Sequence, residues 1–218
     1  MFIGHFALGF SAKRIDPRVS LGTLFLACQL ADLVWPTLVL FGIERVVVEP
    51  GNTAYTPLRF AFYPYSHSLA ALAVWGLVVG AAYRAIREAP LAPALLLASL
   101  VLSHWVLDVA THRADMPFTV NGQTKIGFGL WQSVPLTIVV ESLMFAAGLA
   151  LYAWATTPRD RAGSIGLWSL ALFLYVVNLA NIFGPPPPSA RAVAWTAEAM
   201  WLLVAAGYYV DRHRTRRL

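Results

Sequence analysis

Charge is scarce in this 218-residue chain: only 12% of its residues are Asp, Glu, Lys or Arg. A soluble domain carries about 25%, so the chain has too little charge to clothe a water-facing surface. Disorder is excluded on the same ground, because 58% of the residues are hydrophobic and the mean hydropathy is +0.62. A single cysteine, Cys28, excludes a disulfide scaffold. No internal repeat is visible, and the one low-complexity tract is the short proline run 185–188. An all-α integral membrane protein remains. Its net charge of +5 reads as a basic rim on a membrane bundle rather than as a nucleic-acid footprint, and no nucleic-acid partner is expected.

Six stretches meet or approach the ~20 apolar residues that a transmembrane helix needs: 19–43, 67–87, 91–112, 129–156, 163–183 and 191–210. Proline, glycine and charge separate them, at Pro50-Gly51-Asn52, Arg84 to Pro90, Arg113 to Gly129, Thr157 to Gly163 and Gly184 to Pro188. The expected fold is a single membrane domain, a bundle of about six transmembrane helices. Met1 to Ser11 is apolar but too short to span, and Lys13, Arg14 and Arg18 follow it instead of preceding it as in a signal peptide. A short N-terminal re-entrant or interfacial helix is expected there. Counting Lys and Arg alternately from the loop before span one gives eleven on one side against five on the other. That asymmetry predicts both ends on the cytoplasmic face, with the basic tail Asp211–Leu218 as an anchor and His213 solvated.

The informative charges are those inside the spans. Asp32, Asp108, Glu141 and Glu198 fall there, with no Lys or Arg in any span interior. A charge at bilayer depth is costly and marks a functional site by default, so these carboxylates need protons, hydrogen bonds or a bound cation. Four of the five histidines lie near them, in Gly4-His5-Phe6, Tyr65-Ser66-His67-Ser68, Ser103-His104-Trp105-Val106-Leu107-Asp108 and Thr111-His112-Arg113. Members four apart on a helix are offset by only about 40°, so His104, Asp108 and His112 can face one point. Imidazole and carboxylate together suit zinc and related divalent ions. Asp32 and His104 each stand 13 residues into their spans and so at similar depth, about 20 Å up, while His5 needs a re-entrant helix to reach them.

The residues Gly4-His5, Cys28-Gln29-Leu30-Ala31-Asp32 with Pro36, Ser66-His67-Ser68, and Leu102-Ser103-His104 with Asp108 resemble a bacterial inner-membrane family. It is the metal-dependent hydrolase family that includes LexA-binding inner membrane-associated hydrolases. The likeness covers about residues 1–115, leaving 116–210 as supporting helices. The same order is similar to the ligand set of zinc phospholipase C. Val34, Trp35 and Phe62-Tyr63-Pro64 depart from the family pattern at places where many members carry further ligands.

The resemblance implies a metal-dependent hydrolase in which His5, Asp32, His67, His104 and Asp108 hold zinc or another divalent metal. His112 is the candidate for orienting a ligand or protonating a leaving group. The stretch Thr111-His112-Arg113-Ala114-Asp115 and the later Gly129-Leu130-Trp131-Gln132-Ser133 with Glu141 resemble a subgroup of such membrane proteins, which makes Glu141 the candidate general base, or else a hydrogen-bonded glutamate between helices. Membrane lipids are the expected partners, and a lipid or other amphiphilic phosphoester the expected substrate. Two other classes stay open at this point: a transporter of metal ions or protons, which discontinuous helices would favour, and a non-catalytic protein with a structural metal, which a closed ligand shell would favour.

Overall fold

The computed structural model describes residues 1–217, and it is helical throughout its core. The chain runs α1 (Ile3–Ile15), α2 (Leu21–Cys28), α3 (Leu30–Leu40), β1 (Arg45–Val48), β2 (Leu58–Phe62), α4 (Pro64–His67), α5 (Leu69–Arg87) and α6 (Leu91–Thr111). It continues through β3 (Met116–Pro117), β4 (Lys125–Ile126), a short 3₁₀ turn Leu130–Gln132, α7 (Val134–Ala155), β5 (Thr156–Pro158), α8 (Arg161–Phe183), α9 (Ala190–Glu198), α10 (Met200–Arg212) and β6 (Arg214–Arg216). Five apolar helices are long enough to cross a membrane, with α9 and α10 counting as one, and the pair α2–α3 makes a sixth, broken crossing. Large apolar side chains such as Leu77, Leu143 and Leu172 stand at least 65% exposed on their outer faces. Such a surface is stable against lipid and not against water, so the chain is an integral membrane protein of the all-α class.

Local sequence sets the helix ends. Ser68, Ser133, Asp160 and Ser189 each accept a bond from a backbone N–H three residues on, which starts α5, α7, α8 and α9. Arg87 is followed by Glu88 in left-handed geometry and then by Pro90, which stops α5. The three strand pairs are all two-stranded and antiparallel, and they lie outside the spans.

Two features differ from the simple reading of the spans. The first crossing is not one helix: it breaks at Gln29 with a bend of 57° between α2 and α3. A break in an apolar environment frees backbone groups that need partners, and one of them, the Cys28 carbonyl, accepts a bond from His104 Nδ1 at 2.9 Å. The C-terminal tail is the second. Residues 214–216 pair with 156–158, and Arg214 is buried with its guanidinium on the Thr156 hydroxyl and carbonyl and the Gly163 carbonyl. His213, expected to be solvated, meets Asp160 Oδ2 at 2.7 Å.

The N-terminal helix is no surface appendage. Ile3, Phe6, Ala7, Phe10 and Ala12 are at most 2% exposed, and α1 packs against α2, α6 and α7. The α1–α7 contact is close because Gly148 faces the Ala7 carbonyl, where a Cβ would collide. Phe6 and Phe10 meet Phe25 edge to face, and Phe10 meets Tyr152 likewise, so the middle of the bundle is a dry aromatic and aliphatic core. Helix α1 begins beside the end of α6 and finishes at the opposite, basic end, where Lys13 Nζ lies 2.7 Å from Asp211 Oδ2.

Candidate metal centre

The predicted ligands do converge. Helix α1 delivers His5, α3 delivers Asp32 just past the break, α4 delivers His67, and α6 delivers His104, Asp108 and, at its C-cap, His112. Asp108 Oδ2 lies 3.2 Å from His104 Nε2 and 3.9 Å from both His67 Nε2 and His112 Nε2. Asp32 Oδ1 lies 3.3 Å from His67 Nε2 and 3.8 Å from His104 Nε2. Four ligand atoms held at 2.0–2.1 Å around a tetrahedral zinc stand about 3.4 Å apart. The four cross-distances among Asp32, His67, His104 and Asp108, 3.2 to 3.9 Å, bracket that edge.

The surroundings of each ring decide what faces the centre. A carbonyl only accepts, so His104 Nδ1 carries a proton to the Cys28 carbonyl and leaves Nε2 bare; that nitrogen is buried and without a hydrogen-bond partner. Ser66 Oγ sits 2.6 Å from Glu44 Oε2, which takes the hydroxyl proton, and 2.7 Å from His67 Nδ1, whose N–H it accepts. His112 Nδ1 meets Asp115 Oδ1 at 2.9 Å, and Tyr63 donates its hydroxyl to the same carboxylate at 3.2 Å. Burial, then the charges of Asp115 and Asp108, hold the Tyr63 phenol well above its usual range, so it stays a donor. All three rings therefore spend their Nδ1 protons outward and turn Nε2 lone pairs toward carboxylate oxygens. Lone pairs facing carboxylates at this range repel unless a cation lies between them, and outward bonds of this kind are the usual support of metal-binding histidines. The residues present fit a divalent ion.

His5 stands slightly apart. Its Nε2 lies 3.0 Å from the other oxygen of Asp108, Oδ1, which the Met1 nitrogen also approaches at 2.6 Å. Its ring stacks on His104 at 3.7 Å and nearly parallel. His5, His104 and Asp108 thus form a second cluster that shares two members with the first. Glu141 takes a different place from that of a free general base: its Oε2 accepts from the Phe2 and Gly4 backbone N–H groups at 3.1 and 3.3 Å. It caps the start of α1 and so fixes the helix that carries His5.

The sequence alone assigns no role to Glu44, Asp115 or Tyr63. Asp115 had a signal, the i, i+3 spacing from His112 within the quoted motif. Glu44 had none, because it joins Ser66 only through the fold, across 22 residues. Glu198 and Asn178 serve packing, accepting from Thr37 (2.6 Å) and Tyr55 (2.9 Å) hydroxyls.

The site reaches the surface at Asp32. The side chains of His5, His67, His104, Asp108 and His112 are at most 3% exposed, whereas Asp32 is 26% exposed. Over His112 lies an aromatic cover, with Phe60 of the β1–β2 hairpin at 5.0 Å and Trp131 at 4.3 Å between ring centres.

No family model, no curated protein and no solved structure matches this chain.

Proposed function

We propose that the protein is a metal-dependent membrane hydrolase of the LexA-binding inner-membrane type that its motifs resemble. Its substrate is read as a lipid or other amphiphilic phosphoester, and its location as a bacterial inner membrane with both ends cytoplasmic. The observation that carries the reading is the set of bare Nε2 atoms on His67 and His104 facing Asp32 and Asp108. Partial exposure of Asp32 supports a catalytic over a structural ion, since a structural zinc is closed on all sides.

Asp32, His67, His104 and Asp108 would hold the ion, with zinc best matched by this mixed donor set. Such an ion supplies a water of lowered pKa and polarises a phosphoryl or acyl oxygen. His112 is the proton-handling group: Asp115 holds its Nδ1 proton, which leaves Nε2 to accept or give a proton beside the cluster. His5 acts behind Asp108 as its support, and Glu141 holds the helix start that carries His5. The substrate is read as entering from the side of Asp32, which alone among these ligands is partly exposed.

One observation favours transport: the helix broken at the site, a common element of ion pathways. Two others weigh more. The carbonyl freed by the break is already taken by His104, and the path from the site to the basic end is filled by Phe6, Phe10, Phe25 and Leu24, each at most 1% exposed. A dead-end site fits hydrolysis better than passage.

The test is metal analysis of protein purified without chelator, wild type beside His104→Ala and Asp108→Ala, then hydrolysis of phospholipids and simple phosphodiesters, with ion flux into liposomes run in parallel. Stoichiometric metal lost in both variants, with metal-dependent hydrolysis and no flux, is the expected result. Wild-type protein that takes up no divalent ion would sink the proposal, and flux without hydrolysis would replace it with the transport reading.

A further inference from the structure

A second concave site lies at the opposite end of the molecule. It is a cleft of about 620 Å³ whose walls include Lys13, Arg18, Arg159, Arg214 and Arg216, with Asp211 as the one carboxylate. It is a shallow, open depression, suited to a group lying on the surface rather than to an enclosed ligand. The walls come from three separate stretches of chain: the end of α1 with the turn after it, the loop after β5, and the end of α10 with the paired tail. Pairing of β6 with β5 therefore builds the cleft, which a loose basic tail would not do.

The cations in it are not equivalent. Lys13 is spent on Asp211 and the Val19 carbonyl, and Arg18 on Asp16. Arg214 is spent on Thr156 and Gly163. Asp211 is in turn satisfied by Lys13 and the Tyr152 hydroxyl. Arg159 and Arg216 are left: both are exposed, and among the described residues their guanidinium groups have no hydrogen-bond or ionic partner. Two unspent guanidinium groups on the wall of a cleft whose other charges are already paired supply the donors by which arginine binds phosphate.

The cleft is also at headgroup height. It lies at the ends of α1, α7 and α10, beyond their apolar turns, and Arg14 packs over Trp154 nearby in the manner of an interface anchor. We infer that this cleft binds the phosphate of an anionic phospholipid, with Arg159 and Arg216 as the gripping residues. The site is separate from the metal cluster, and the inference stands whether or not the cluster hydrolyses anything. Soluble phosphate shares the chemistry, but only a lipid reaches the cleft from the bilayer that surrounds these helix ends.

The experiment uses the full chain in nanodiscs of phosphatidylcholine doped with phosphatidylglycerol, and native mass spectrometry counts retained lipid. The Arg159→Gln/Arg216→Gln variant is compared with Arg87→Gln/Arg212→Gln, which removes the same charge outside the cleft. Neither cleft arginine holds the fold by its side chain, and the folded fraction is checked by circular dichroism. Wild type should retain phosphatidylglycerol over phosphatidylcholine. At about tenfold for each charge-assisted contact to the phosphate that is removed, the cleft variant should lose about 100-fold in that preference, and the control variant, which loses only the general attraction of surface charge, should lose far less. Equal retention of the two lipids, equal loss in both variants, or displacement of the lipid by millimolar inorganic phosphate would overturn the inference.

Discussion

Glu44→Gln is the sharpest test of how the metal centre is built, because it leaves every ligand in place. Glu44 is 2% exposed and accepts three bonds: Tyr65 N (2.8 Å) and Ser66 N (2.9 Å) on Oε1, and Ser66 Oγ (2.6 Å) on Oε2. A glutamine there keeps its amide oxygen with the two N–H donors, which puts its NH₂ against Ser66 Oγ. The hydroxyl then accepts from the amide, and its own proton has two places to go, the Tyr63 carbonyl at 3.4 Å or His67 Nδ1 at 2.7 Å, of which the shorter contact is the stronger. His67 moves its proton to Nε2, the atom that faces Asp32, and ceases to be a ligand. Losing an outer support of a ligating histidine weakens metal affinity by about 10- to 100-fold, which is about 1.4–2.8 kcal/mol. The assay is zinc competition against a chromophoric chelator in detergent, with Glu88→Gln, which alters an exposed loop residue, as the control. The apo proteins are compared by thermal unfolding, so that a folding defect is seen separately. Unchanged zinc affinity in folded Glu44→Gln would refute the proton path from His67 through Ser66 to Glu44, and with it the bare Nε2 assigned to His67.

Four other outcomes follow from the same geometry. Wild-type protein with zinc at about 100 times its Kd should gain about 2.7 kcal/mol of stability, read as a rise in Tm that a chelator reverses and that His104→Ala lacks. Glu141→Ala leaves the Phe2 and Gly4 N–H groups uncapped, which should cost about 1–2 kcal/mol in denaturant unfolding and weaken metal binding without abolishing it. Gly148→Val drives a side chain into the Ala7 carbonyl and should cost about 1–3 kcal/mol, measured by the same unfolding. Tyr63→Phe removes a donor from Asp115 and should change the pH profile of hydrolysis more than metal affinity; the reverse pattern would remove His112 from proton handling.

Much of this protein could be read from residue order. Scarcity of charge forces a membrane solvent, because so few ionisable groups leave most of the surface apolar, and apolar runs near 20 residues fix the number of crossings. The cost of an ionisable group at depth singles out His5, Asp32, His67, His104 and Asp108, and the i, i+4 spacing puts three candidate residues on one face of α6. Spacing along a helix is local, so the sequence carries it. The rest depends on contacts between segments far apart in the chain. The bend at Gln29 is stabilised by a histidine 76 residues away, and Glu44 reaches His67 only through Ser66 of a distant turn. Glu141 looks like a base in an apolar span, but an arriving helix end turns it into a cap. The basic tail looks like a topological anchor until pairing with β5 makes it the wall of a cleft. Each of these roles is a hydrogen bond whose second partner is decided by packing, and packing of lipid-facing helices is what only the tertiary structure could decide.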